Sequence, residues 1–77
     1  MTDWKIHIES KAEVLFGKPV IAKTRIPVDL ILEKLAEGDS IEDLLSAYPA
    51  ISREDISSCL LFGADAVKNE KVITWAV

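Results

Sequence analysis

Three prolines and three glycines punctuate this chain, and where they fall decides most of what it can fold into. Pro19 and Pro27 lie within the stretch Phe16-Gly-Lys-Pro-Val-Ile-Ala-Lys-Thr-Arg-Ile-Pro-Val28. Each ring fixes φ and withholds a backbone donor, so the stretch reads as a rigid, extended lead-in, neither helix nor central strand. Directly behind it Val28, Ile31, Leu32 and Leu35 recur at i, i+3, i+4 and i+7, the single apolar stripe of an amphipathic helix. Pro27 suits the first turn, where its missing N–H is no loss, and Asp29 complements the positive helix end. Gly38 stops the helix as the residue beyond its C-cap.

Two further helices follow. Ser40-Ile-Glu-Asp43 is a capping box with Asp in place of the usual Glu, and Ile41, Leu44, Leu45 and Tyr48 repeat the stripe until Pro49. Ser52-Arg-Glu-Asp55 is a second capping signal and opens a longer helix running to about Lys68, its predicted face being Ile56, Cys59, Leu60, Ala64 and Val67. Leu61 and Phe62 lie off that stripe, which predicts a second buried face. At the N-terminus Trp4-Lys-Ile-His-Ile8 alternates apolar and polar, predicting a half-buried strand with Trp4, Ile6 and Ile8 inward and His7 toward solvent. Val20-Ile21 is a second, shorter strand. The tail Val72–Val77 is strand-like, and pairing it with the N-terminal strand of another copy would close an exposed edge and form a homodimer. The expected fold is therefore mainly α. It is one domain over 1–77: a β-rich lead-in at 4–26, a trihelical, helix-turn-helix-like (homeodomain-like) unit at 27–68, and a possible strand at 72–77.

Size and charge narrow the function. A chain of 77 residues buries only about 60% of its unfolded surface, so oligomerisation is a reasonable expectation. Its 49% apolar content argues against disorder, and its single cysteine suits a reducing cytoplasm. There is no apolar run of about 18 residues for a membrane span, and the charged start Thr2-Asp-Trp-Lys5 is no signal peptide. A net charge of −4 means that nucleic acid could be bound only through a local basic face, whereas a basic protein partner would be met readily.

Enzymatic chemistry has little support in these residues. His7 is expected in solvent without a positioned partner, Cys59 on a core stripe, and the acidic pairs Glu42-Asp43 and Glu54-Asp55 in helix first turns, where capping explains them. No cofactor, metal or small-molecule substrate is expected. The basic side chains Lys18, Lys23 and Arg25 are candidates for phosphate or partner contact. The favoured reading for Arg25 is nevertheless an ion pair with a carboxylate of its own domain that fixes the loop, and for Lys18 and Lys23 plain solvation. Arg53, Ser57 and Ser58 would reach bases or phosphates if the third helix entered a major groove, against repulsion from Glu54 and Asp55. Leu61, Phe62 and Trp75 are candidates for a dimer or partner interface.

The run Gly17-Lys-Pro-Val-Ile21, then Thr24-Arg-Ile-Pro-Val28, a helix ending at Gly38, then Tyr48-Pro49 and Ser52-x-Glu-Asp-Ile56, resembles domain-of-unknown-function family 433 over roughly residues 5–67. Members are small bacterial and archaeal proteins described as antitoxin-like and similar in fold to homeodomain-like, helix-turn-helix domains. The resemblance implies an antitoxin of a type II toxin–antitoxin pair that binds and neutralises a PIN-like nuclease. It also implies, as in many such antitoxins, binding to the protein's own operator DNA. Gly17, Pro19, Thr24, Arg25, Pro27, Gly38, Tyr48 and Pro49 carry the signature. The family usually has Gly just before Thr-Arg where this chain has Lys23, and an Asp-Pro before the Gly-Lys-Pro turn where this chain has Ser10-Lys-Ala-Glu13.

Overall fold

The computed structural model describes residues 3–69, so the tail at 72–77, Trp75 included, lies outside them. Two strands precede three helices: β1 (Ile8–Glu9), β2 (Val20–Ile21), α1 (Val28–Ala36), α2 (Ile41–Ala47) and α3 (Arg53–Asn69). The strands pair antiparallel, with Ile8 opposite Ile21 and Glu9 opposite Val20. The domain is mainly α, as its helical stripes predict.

The proline-rich lead-in folds back on itself. Ile21 and Ile26 are joined by the bond from Ile21 N–H to the Ile26 carbonyl (2.9 Å), and the turn between them closes from Thr24 N–H to the Ile21 carbonyl (3.0 Å). The Thr24 hydroxyl donates to that same carbonyl at 2.6 Å and accepts from Ile26 N–H at 3.0 Å. One threonine thus holds both arms, which is why this position carries a short hydroxyl side chain. Lys23 sits at the third turn position with φ 64°, while Ala22 before it keeps a negative φ, the backbone of a type II turn that favours glycine there. Its N–H is held by a Glu9 side-chain oxygen at 3.0 Å. The lead-in then delivers the chain to α1. Pro27 is the N-cap, one residue earlier than expected, and the first free helix N–H, of Val28, is taken by the Pro19 carbonyl at 3.0 Å.

The caps are those the sequence predicts. Beyond α1, Gly38 adopts φ 104°, and the bonds from Gly38 N–H to Leu35 and from Asp39 N–H to Lys34 form a Schellman motif. At α2 the Ser40 hydroxyl accepts from Asp43 N–H (3.0 Å) while the Asp43 carboxylate accepts from Ser40 N–H (2.9 Å), and these bonds hold the Asp43 carboxyl below its ordinary value. Ser52 and Asp55 repeat the reciprocal pair at α3, at 2.9 and 3.2 Å.

The core lies where the three helices meet the hairpin. Val20, Ile21, Val28, Ile31, Leu44, Ile51, Ile56 and Cys59 are buried, and Leu32, Leu35, Ile41, Leu45, Tyr48 and Phe62 pack around them. Each fully buried aliphatic side chain contributes about 1.5–3 kcal/mol, so this short list supplies most of the driving force.

The N-terminus differs from its alternating pattern. Trp4–Ile6 is a turn of 3-10 helix, not a strand, because the Asp3 carboxylate caps Lys5 N–H (3.1 Å) and pulls the chain into a local turn. Ile6 is therefore largely exposed, and Trp4 stacks edge-on against Phe62 with ring centroids 5.4 Å apart. His7 does not face free solvent. Its Nδ1 lies 2.9 Å from Asp55 Oδ1, so one carboxylate both caps α3 and ties down the chain start.

Candidate partner-binding surface

The basic candidates scatter over different jobs. Lys18 pairs with Asp29 at 2.8 Å, on two half-exposed side chains, and is not simply solvated. Arg53 pairs with Glu42 across the α2–α3 turn and holds that carboxyl below its ordinary value, so its guanidinium is already engaged. Arg25 is exposed, and among the described residues it has no carboxylate within ion-pair distance, against the expectation that it would fix its own loop. Lys23 is exposed on the same turn, so these two cations together present a basic point that has no ion pair among the described residues. Ser57 is exposed on α3, whereas Ser58 is fully buried and faces the core. Glu54 and Asp55 flank Arg53 in the first turn of α3, giving that end of the helix an acidic character unsuited to phosphate.

Cys59 is a core thiol, as expected. Burial, reinforced by the Asp55 charge, pushes its pKa up to about 12, which leaves it protonated and unreactive near neutrality.

The apolar residues of α3 divide differently from the sequence reading. Ile56, Ser58 and Cys59 are buried and Phe62 packs against the core, so the inward face runs along that side. Leu60, Ala64 and Val67, placed inward by the pattern, instead form a stripe on the exposed side: Leu60 is 49% and Val67 75% exposed, with Leu61 beside them. Recurrence at i, i+4 and i+7 makes this a second apolar face on one helix. The second buried face that Leu61 and Phe62 predicted is thus split. Phe62 belongs to the core, and Leu61 borders the open stripe.

A second apolar feature lies on the other side of α3. Between α1 and α3 runs an open groove of about 260 Å³, walled by Leu32, Phe62 and Ala66 and rimmed by the Lys18–Asp29 pair. Gly63 lies in its floor. Neither Phe16, which stands fully exposed nearby in the chain, nor Gly63 was singled out by sequence reasoning. A mid-helix glycine beside Phe62 was the available signal.

Among the described residues no helix is long and apolar enough to cross a membrane. The chain is similar to an uncharacterized protein, y4eO, of Sinorhizobium fredii (strain NBRC 101917 / NGR234), with 37% identity over 49 residues, covering 64% of this chain and 22% of that protein. It is also similar to the crystal structure of a DUF433 member protein from Anabaena variabilis ATCC 29413, at a TM-score of 0.76 and 27% identity, covering 80% of this chain and 61% of that one. The chain thus spans about a fifth of the length of the first relative and about three fifths of the second. The family model of DUF433, a protein of unknown function, matches residues 8–62, from β1 to the Phe62 that closes the core, and the chain belongs to that family.

Proposed function

We propose that this domain is a partner-binding module of the antitoxin type, which docks a PIN-like nuclease toxin through the exposed half of α3. The observation that carries this reading is the Leu60–Ala64–Val67 stripe with Leu61 at its border, an apolar helix face left in water. Laying such a face in a hydrophobic groove is a recurrent mode of peptide recognition, read as anchors at these spacings. The exposed fractions of Leu60, Leu61 and Val67 add up to roughly one and a half side chains, worth about 3 kcal/mol or a hundredfold in affinity when covered. A net charge of −4 favours a basic partner surface around the anchors.

Operator DNA is the secondary reading, motivated by Lys23 and Arg25 on the exposed turn. Base reading by α3 itself is disfavoured, because Arg53 is held by Glu42 and flanked by acids. The alternative is a homodimeric DNA-binding regulator, which would rest on the same two cations, or a protein-interaction module with no toxin partner, which would rest on the exposed apolar face of α3.

Co-expression with the product of the adjacent gene, followed by size exclusion, tests the proposal. A stable complex is expected, and Leu60→Asp with Val67→Asp should abolish it while circular dichroism stays unchanged. If no adjacent PIN-like product binds, or if the doubly substituted chain binds as well as the wild type, the proposal fails. A salt-dependent gel shift lost in Arg25→Ala would identify the DNA contact separately.

A further inference from the structure

The toxin-binding reading leaves two features on one edge of the fold unused. Gly63 lines the groove between α1 and α3, and a Cβ there would meet Leu32 Cδ1 at 3.4 Å, an ordinary van der Waals contact. The second feature is Phe16. Leu15, Phe16 and Gly17 have φ of 49°, 58° and 84°, a left-handed turn in which two residues carry side chains that disfavour it. Bonds from Gly17 N–H to Val14 (3.0 Å) and from Lys18 N–H to Leu15 (3.2 Å) hold this turn, and the Ser10 hydroxyl donates to the Gly17 carbonyl. The result is a phenylalanine ring that is 102% exposed.

Phe16 stands two residues ahead of Lys18, which forms the groove's rim, so their Cα atoms lie within about 7 Å. Knob and groove are thus neighbours that do not touch within one chain. Such a pair is self-complementary across a twofold axis, where each knob meets the other copy's groove. We propose that a second copy of this chain occupies the groove: Phe16 of each protomer inserts between α1 and α3 of its partner. The rim does not oppose this approach in charge, since Lys18 and Asp29 already neutralise each other within one chain at 2.8 Å. A ring entering a groove buries about 150–250 Å², with a similar area of wall, and twice over this is roughly 600–1,000 Å². That falls short of the roughly 1,200 Å² of a stable interface, so the dimer is weak and exchanges readily.

Sedimentation equilibrium of the full chain over about 10 μM to 1 mM tests this, a range that brackets weak association. Reversible dimerisation is expected, weakened at least about 30-fold by Phe16→Ser and likewise by Ala66→Arg, as for a central anchor. Both positions are exposed, so the variants keep the wild-type thermal transition. An equimolar mixture of the two variants should associate where neither does alone, because the mixed pair retains one Phe16 and one open groove. Leu60→Asp and Val67→Asp should leave self-association unchanged, so failure of the toxin reading and failure of this one are separately visible. A wild type that is monomeric at 1 mM, a dimer indifferent to both groove variants, or a mixture as monomeric as its components overturns the proposal.

Discussion

Replacing Lys23 by glycine should make the domain more stable, against the usual expectation for a glycine substitution. Lys23 occupies the left-handed position of a type II turn at φ 64°, where a Cβ crowds the following carbonyl. That conformation costs a residue other than glycine about 1–2 kcal/mol. Glycine removes the cost but enlarges the unfolded ensemble, returning about 0.5–1 kcal/mol. The side chain itself is exposed, and the bond to Glu9 comes from the backbone N–H, which glycine keeps. The net gain is about 0.5–1 kcal/mol, or about 2–8 °C in the thermal midpoint of a domain this small. Urea and thermal unfolding of wild type, Lys23→Gly and Lys23→Ala measure it. Alanine retains the Cβ and should change stability little, which separates backbone strain from any role of the ammonium group. A glycine variant no more stable than wild type, or an alanine variant that gains as much, would refute the reasoning.

Two further outcomes follow from groups that link segments. His7→Ala and Asp55→Ala should each destabilise the fold, by about 1 and about 2 kcal/mol, because Asp55 also caps α3. Their double-mutant cycle in urea should show a coupling of about 1 kcal/mol, and a coupling of zero would mean that the histidine bond contributes nothing. Cys59 has a folded pKa pushed to about 12 against an ordinary 9.0, so the unfolded chain loses this proton first. Its contribution is fully present below pH 9 and declines as pH rises toward 12. Cys59→Ala should flatten that decline, and a slope unchanged by the substitution would show that other groups set it.

The helices were legible because each couples a stripe to a stop. Val28 to Leu35 ends at a glycine in the left-handed region, and Ser40 and Ser52 each meet an aspartate three residues on. The turn at Lys23 was legible as a departure from the family's glycine, and the backbone is indeed left-handed there. The N-terminal strand was not, because Asp3 offers the backbone a local bond that alternation in the sequence cannot reveal. The facing of α3 was misread for a different reason. Ile56 and Cys59 fit two stripes, and the true continuation passes Ser58, a polar residue that is fully buried, while the more apolar line through Leu60 and Val67 is left outside. Hydrophobicity ranks residues but does not say how far a core extends along a helix. The tie from His7 to Asp55 joins residues far apart in sequence, and no local pattern marks it.

Helix α3 has seventeen residues, so it is a rod about 25 Å long. Its buried residues all fall between Ile56 and Cys59, and every residue from Ala64 to Asn69 is exposed. The family match ends at Phe62, close to where the core ends. Substitutions beyond that point are therefore nearly invisible to folding: a new side chain at 64, 67 or 68 alters what the rod displays without loosening what anchors it. Related chains can accordingly diverge in the surface this segment displays by changing a few of its residues, while the anchoring half remains constrained by the core it completes.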